Sequence, residues 1–191
     1  AIEATKLPIS MHCHNDFGMA TANALSALEA GAQCVDVAIN GLGERCGLPP
    51  LAEVVIALTN IYKVNGNWNL GMIPELTELV NSFSKLDPNA NQPIVGKNAF
   101  THKAGLHVKA VIKEPRSYEA ISPESVQRKR HFVIDKYTGK SALNNRLNEI
   151  GISVTPKELD TILIEIKSHP EKLNWDDKDL ISLTNSMGIK S

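Results

Sequence analysis

Alternation of polar and apolar side chains in two short segments, each followed by a helical pattern, constrains the fold of this chain most strongly. The first segment, within LPISMHCHND, puts Met11 and Cys13 on one side of an extended chain. His12 and His14 fall on the opposite side, because successive side chains of a strand point to opposite faces. The segment therefore predicts a strand with one apolar face and one face that carries imidazoles.

The segment CVDVAIN, residues 34–40, repeats this pattern. Its β-branched residues alternate with a second set, which comprises Asp36, Ala38 and Asn40. Helical patterns follow the two segments at 19–30 and 51–62, and the first of these stops at Gly31, a residue suited to the left-handed position after a helix. Strand, helix, strand, helix with short connections predicts parallel strands joined by a right-handed crossover.

One polar face on each strand is unusual for an open parallel sheet, whose strands are apolar on both faces. It is typical of a (β/α)8 barrel, in which polar groups at the carboxyl ends of the strands line the active site. We therefore predict an α/β fold, with residues 1–64 forming the last two βα units of a TIM barrel. Because a complete barrel takes ~250 residues, we expect the chain to be a fragment of a longer enzyme.

The rest of the chain is predicted to be mainly helical. Residues 65–130 form a linker subdomain with helices at 73–86 and 101–112, and residues 131–191 form a small helical subdomain. Thr155 and Glu158 have the spacing of a capping box around Pro156, which indicates a helix start.

Composition limits the partners of this chain. The 20 Lys and Arg residues nearly balance the 21 Asp and Glu residues, so the net charge of −1 argues against nucleic acid or an anionic membrane as a partner. The apolar runs are too short to span a bilayer. Three cysteines without CxxC spacing suggest a reduced compartment, and we expect a soluble, cytoplasmic protein.

The HCHND string raises the question of metal binding. Two histidines at i and i+2 of a strand can reach one cation, but such pairs also arise by chance, and His14 with Asn15 could instead cap the following loop. Asp16 is a third candidate ligand, as in metallo-β-lactamase-like hydrolases, although Phe17 stands where those enzymes carry another histidine.

Two other strings carry candidate chemistry. The glycines of GLGERCG, residues 41–47, allow a ligand to approach the backbone, or else form a tight turn with a surface pair of Glu44 and Arg45. The string THKAGLHVK, residues 101–109, holds two histidines and two lysines, which form either a solvated basic face or a group that transfers protons.

Three strings, in this order along the chain, resemble the acyl-CoA condensing enzymes related to isopropylmalate synthase and homocitrate synthase. The strings are HCHNDFGMATANALSALEAGA, VDVAINGLGERCG and NAFTHKAGLHVKAVIKEPRSYE. The resemblance, which covers residues 8–150, implies a metal-dependent TIM barrel followed by helical subdomains, and a transferase that joins acetyl-CoA to a 2-oxoacid. Within this family, THKAGLHVKA and Leu48 after the GER loop favour the homocitrate synthases, which use 2-oxoglutarate in lysine biosynthesis.

The resemblance also implies roles for individual residues. His12 and His14 correspond to the metal ligands, and the metal is zinc, manganese, magnesium or cobalt. His107 and Tyr118 correspond to a catalytic pair that the helical region of one subunit of a homodimer offers to the barrel of its partner. The substrate-binding residues are those around the mouth of the site, Asn40, Gly41, Gly43, Glu44 and Arg45.

Several alternatives remain at this point. The family's amino-terminal Arg-Glu motif, which completes the metal site, is not in this sequence, so we expect the isolated chain to be inactive. The substrate could instead be that of a 2-isopropylmalate, citramalate or Re-citrate synthase. A lyase of the hydroxymethylglutaryl-CoA type is disfavoured because it carries Gly-Gly-Cys-Pro where this chain has Gly43 to Cys46. A non-catalytic, dimerising fragment is a further alternative.

Overall fold

The computed structural model describes residues 2–103 and 105–189. Four residues lie outside the described ones. Residue 1 begins the first predicted domain, residues 190 and 191 end the last one, and residue 104 falls within the predicted helix 101–112. Helices α1 to α8 span, in chain order, Ile2–Thr5, Ala20–Glu29, Leu51–Asn60, Ile73–Ser84, Gly105–Lys113, Lys140–Glu149, Pro156–Ser168 and Asp177–Ser186. Strands β1 to β4 span Ser10–Met11, Cys34–Val35, Thr101–His102 and His131–Phe132, and short 3-10 helices span Ile39–Gly41, Leu70–Met72, Pro115–Ser117 and Pro123–Val126.

Two compact units make up the chain. Unit 1 consists of Ala1–Ala99 and Pro123–Arg128, and unit 2 consists of Phe100–Ser122 and Lys129–Ser191. Each unit contains helices together with one pair of parallel strands, so the chain belongs to the mixed α and β class. Among the described residues, no helix combines the length and the apolar character that a membrane crossing requires.

Unit 1 contains the predicted strand-helix-strand-helix arrangement. Strand β1 pairs with β2 in parallel, with Ser10 opposite Cys34 and Met11 opposite Val35. Helix α2 connects the two strands, and the chain leaves it through Gly31, whose φ of 98° confirms the predicted left-handed turn. The parallel pairing and both helices agree with the sequence prediction.

The apolar face of β1 packs under α2 and α3. Cys13 is buried in a small cluster with Ala24 and Val54, and Met11 and Val35 pack against that cluster. His12, on the other face, is exposed. The observed alternation therefore confirms the predicted faces, although the paired strands are only two residues long. Beyond β2 the chain turns toward α3, where the amide of Leu51 donates to the carbonyl of Ala38 at 2.9 Å.

The predicted helix at 101–112 is wrong at its start. Thr101 and His102 form β3, which pairs in parallel with β4, and α5 begins only at Gly105. Lys103 therefore does not share a helical face with His107; its Nζ atom lies 2.7 Å from a carboxylate oxygen of Asp135. Pairing with a strand about thirty residues away outweighed the local helical pattern.

Unit 2 has an apolar core between α6, α7 and α8. The residues with no exposed surface in this core are Leu143, Leu147, Ile162, Ile166 and Leu180. Helix α7 begins with the predicted capping box, in which the Thr155 hydroxyl accepts from the amide of Glu158 and the Glu158 carboxylate accepts from the amide of Thr155. Asp176 and Asp179 form an equivalent box at the start of α8. These caps fix where the core helices begin.

We predict that Ile162→Ala destabilises the chain by roughly 2–5 kcal/mol, because the side chain is fully buried and its removal leaves a cavity. The matched control is Ile164→Ala in the same helix, whose side chain is 70% exposed, and this change should alter the unfolding free energy by at most ~0.5 kcal/mol. Urea denaturation followed by circular dichroism measures both values. Equal losses in the two variants would contradict the assignment of the core.

Candidate active site

The two histidines of the HCHND string point toward each other after β1. Their Nε2 atoms are 3.3 Å apart, and their ring planes meet at 62°. Two imidazole nitrogens bound to one tetrahedral zinc ion at about 2.05 Å would be separated by about 3.3 Å. His12 and His14 therefore have the spacing of two ligands of one cation.

Asp36 orients the first of these rings. Its Oδ2 atom lies 2.8 Å from Nδ1 of His12. A carboxylate accepts a hydrogen bond, so Nδ1 carries the proton in neutral His12 and the Nε2 lone pair remains available to a cation. The pattern of the second strand had placed Asp36 on the same face as Asn40, but its contact with His12 follows from the parallel register, which was not evident from the sequence.

The second ring is held differently. His14 is half-buried, and its Nδ1 atom is buried without a hydrogen-bond partner among the described residues. A proton on Nδ1 would leave Nε2 of His14 free to act as a ligand beside Nε2 of His12. The donor set of these two rings thus fits a divalent metal ion that accepts nitrogen ligands.

Two nitrogens do not complete a metal site, which usually takes at least three protein ligands. Across residues 2–103 and 105–189, no group of three or more His, Cys, Asp or Glu residues could hold a metal ion. Asp16 does not join the histidines in a cluster of the HxHxD kind, because both of its carboxylate oxygens accept hydrogen bonds from Arg45, at 3.0 and 3.1 Å. Further ligands would have to come from outside these described residues.

The Asp16–Arg45 pair joins the histidine segment to the GLGERCG loop. Beside it, the amide of Asn15 donates to the carbonyl of Gly47 at 2.9 Å. Gly47 has a φ of 84°, and a Cβ atom there would lie 2.0 Å from the carbonyl oxygen of Gly41, so only glycine fits this close approach. The two loops are thereby locked together, and the surface pair of Glu44 with Arg45 that the sequence allowed gives way to the pair with Asp16.

Asn40 fixes the start of the same loop. It adopts a left-handed backbone with a φ of 59°, which asparagine tolerates better than most residues. Its side-chain nitrogen donates to the carbonyl of Thr77 on α4 at 3.2 Å, and the amide of Asn81 lies 2.9 Å from the same nitrogen. The Gln92 side chain donates to the Asn40 carbonyl at 3.2 Å. The side chain of Asn40 thus attaches the loop to α4.

Two open cavities border this loop within unit 1. One measures about 260 Å³, and the other measures about 460 Å³. Asn40 and Gly41 line both cavities, while Gly43 and Arg45 line only the smaller one. The structure therefore brings together four of the five predicted substrate-binding residues, and Glu44 is exposed outside the lining of either cavity.

The predicted catalytic pair lies in unit 2. His107 is on α5, and Tyr118 follows the 3-10 helix Pro115–Ser117. Their ring centroids are 4.3 Å apart with an angle of 31° between the planes, and both side chains are exposed. The structure therefore brings together two residues that are eleven positions apart in sequence.

A buried ionic cluster next to Tyr118 was not anticipated from the sequence. The Glu119 side chain is 4% exposed, and Arg130 donates to both of its carboxylate oxygens, at 2.6 and 2.5 Å. Nε2 of His102 lies 3.0 Å from one of these oxygens. Burial raises the pKa of Glu119, but the hydrogen bonds from Arg130 and His102 outweigh that effect and hold the pKa below its usual value.

The sequence matches two known family profiles and several curated proteins. Residues 1–80 match a family profile described as HMGL-like, and residues 94–174 match one described as homocitrate synthase post-HMGL domain-like. A homocitrate synthase AksA of Methanopyrus kandleri is 43% identical over 87% of this chain and 42% of the relative's length. A probable 2-isopropylmalate synthase of the same organism is 44% identical over 90% of this chain and 34% of its own length.

A putative (R)-citramalate synthase CimA of Archaeoglobus fulgidus is 42% identical over 87% of this chain and 34% of its own length. The chain thus spans less than half the length of these curated relatives. Similar identities to three differently named synthases mean that overall identity does not select one oxoacid.

We predict that Arg45→Gln raises the pKa of Asp16 toward the usual value of an aspartate. The hydrogen bond from Arg45, followed by its charge, lowers this pKa in the intact chain. Because the folded pKa is depressed, the contact between the loops is stabilised above the unfolded pKa of about 3.9 and is lost as the pH falls through the folded value. Carboxyl carbon NMR of chelator-treated protein measures the titration.

The control for this titration is Arg45→Lys, which keeps the positive charge but loses the two-pronged geometry. The pKa of Asp16 in this variant should lie between its values in the original chain and in the Arg45→Gln variant. An Asp16 pKa that stays the same in all three proteins would show that the ion pair is not formed in solution.

Proposed function

The chain belongs to the family of condensing enzymes that contains homocitrate synthase and 2-isopropylmalate synthase, and we propose on this basis that it is the carboxy-terminal part of a homocitrate synthase. The reaction is the condensation of acetyl-CoA with 2-oxoglutarate, followed by hydrolysis of the thioester, in lysine biosynthesis by the aminoadipate route. The observation that carries a metal-dependent condensation is the 3.3 Å approach of two Nε2 atoms at the end of a parallel strand, within the HMGL-like segment. The match of residues 94–174 to the homocitrate synthase profile supports 2-oxoglutarate as the oxoacid.

We further propose that residues 1–64 form the last two βα units of a TIM barrel. The parallel pair β1–β2, the intervening α2 and the HMGL-like match support this assignment. Residues 65–130 and 131–191 are proposed as the linker and the helical carboxy-terminal subdomain, and the enzyme as a cytoplasmic homodimer. In this proposal, the helical region of one subunit contributes His107 and Tyr118 to the barrel of the other.

His12 and His14 are proposed to hold a divalent cation through their Nε2 atoms, with Asp36 keeping the proton of His12 on Nδ1. The cation is zinc, manganese, magnesium or cobalt, since all four accept such nitrogen ligands. When bound, it supplies Lewis-acid polarisation of the 2-oxo group. The loop from Asn40 to Arg45 is proposed to bind acetyl-CoA, and the cavities that Asn40, Gly41, Gly43 and Arg45 line support this proposal.

His107 and Tyr118 are proposed to act on the acetyl group. A neutral imidazole has one ring nitrogen that accepts a proton, so His107 suits the removal of a proton from the thioester methyl. The Tyr118 hydroxyl is a donor for the oxygen that gains negative charge. Both side chains are exposed in unit 2, so a substrate can reach them.

The runner-up functions belong to the same family and differ in the oxoacid. The 2-isopropylmalate and citramalate synthases are supported by relatives of 44% and 42% identity, and Re-citrate synthase is a further alternative. A non-catalytic dimerising role is the alternative from another class. Turnover measured with a panel of 2-oxoacids distinguishes these alternatives.

We predict that the full-length synthase binds cobalt(II) with His12 and His14 among its ligands, and that His12→Gln or His14→Gln abolishes the binding. Asp36→Asn should weaken the affinity by about 10–100-fold, because the supporting carboxylate sets the tautomer of its ligand. Visible absorption of cobalt(II) measures the binding, with His131→Gln as the control because His131 is an exposed histidine of unit 2. Unchanged binding in both ligand variants would refute the proposed metal site.

We predict that His107→Ala lowers kcat of the full-length synthase by roughly 10²-fold or more, since a positioned acid or base contributes about that factor. Free thiol released from acetyl-CoA measures turnover with 2-oxoglutarate and with the oxoacids of the alternative synthases. The control is His131→Ala, which should retain full activity. The isolated chain should release no thiol, and highest turnover with a different oxoacid would replace 2-oxoglutarate as the substrate.

A further inference from the structure

The ring contact between His107 and Tyr118 needs an explanation, because neither residue is buried. Exposed side chains lose conformational entropy when they are held in one arrangement, so such a contact persists only if the backbone around it is fixed. His107 is fixed through α5, where Val108 and Val111 are each 1% exposed. Tyr118 has no such support from its own helix, since it follows a three-residue 3-10 helix.

The backbone at Tyr118 is tied to the turn before it. The amides of Tyr118 and Glu119 both donate to the carbonyl of Pro115, at 3.2 and 3.0 Å. The Glu114 carboxylate accepts from the amide of Arg116 at 3.2 Å, which caps the same turn. These bonds shape the turn locally, but they do not connect it to the rest of unit 2.

Glu119 provides that connection. Its carboxylate is nearly inaccessible and is held by the two-pronged Arg130 guanidinium and by His102. A bidentate arginine-carboxylate pair fixes orientation as well as distance. Because Glu119 follows Tyr118 directly, fixing its side chain also fixes the backbone that carries the tyrosine.

The partners of Glu119 belong to the strands that flank α5. His102 ends β3, and Arg130 directly precedes β4, with which β3 is paired. The ring of His102 also lies 6.1 Å from the ring of Phe132, which packs against the core of unit 2. The ionic cluster therefore connects the Tyr118 turn to the strand pair from which the chain continues toward His107.

We propose that Glu119, held by Arg130 and His102, is a positioning residue that keeps Tyr118 against His107. The Glu119 carboxylate binds Arg130 and His102, and it acts on Tyr118 through the backbone that the two residues share. The catalytic importance of this Glu119 cluster rests on the proposed function. The positioning of Tyr118 is a property of unit 2 itself. A purely structural ion pair would change stability without moving the tyrosine in the folded protein.

The experiment measures nuclear Overhauser effects between the ring protons of His107 and Tyr118 in the isotopically labelled chain. We expect clear cross-peaks in the original protein and their loss in Glu119→Ala and in Arg130→Gln. Lys129→Gln is the matched control for Arg130→Gln, because Lys129 is the exposed neighbour in sequence, and it should keep the cross-peaks. His169, whose ring lies 5.6 Å from that of Trp175, gives an internal reference that should not move in any variant.

The outcomes separate the two proposals. Loss of the His107–Tyr118 cross-peaks with an unchanged His169 signal supports the positioning role, and retention of these cross-peaks in a folded Arg130→Gln protein overturns it. If neither variant folds while Lys129→Gln does, the ion pair holds unit 2 itself and the proposal also fails. Since this readout is ring proximity and not turnover, it can fail while the proposed function stands, and the activity of His107→Ala tests the latter alone.

Discussion

The parallel register between β1 and β2 is the constraint on which the arrangement of unit 1 depends. With Ser10 opposite Cys34, the residues that follow the two strands, His12 and Asp36, come level with each other on the same face. Apolar burial of Cys13 on the other face holds this register, because a slip by one residue would turn the histidines toward the cluster under α2 and α3. The tautomer of His12 is therefore a consequence of strand pairing.

Unit 2 depends on a helical apolar core more than on strand register. Its core is a set of buried aliphatic residues between capped helices, and the strand pair β3–β4 connects to it through the amide of Trp175, which donates to the carbonyl of Ile134 at 2.8 Å. Ion pairs add to this apolar core: Asp135 binds Lys103, and Glu119 binds Arg130. In both pairs the carboxylate is the buried partner.

The sequence alone predicted those features that depend on local spacing. The faces of β1, the turn at Gly31 and the capping box of Thr155 all follow from patterns of two to four residues. The start of α5 and the partner of His12 could not be predicted, because both depend on strand pairing across 24 to 30 positions. The cap at Asp176 departs from the usual sequence pattern of a capping box, because aspartate replaces Glu or Gln at the third helical position.

The close approach at Gly47 also limits how this part of the chain can vary. Its amide contact with Glu44, its carbonyl contact with Asn15 and the absence of space for a Cβ atom leave the backbone one conformation there. Position 47 therefore tolerates no side chain, and position 43 has little room, since a Cβ atom there would lie 3.1 Å from Cγ of Leu48. The exposed side chains at positions 42, 44 and 46 are those whose replacement disturbs the loop backbone least.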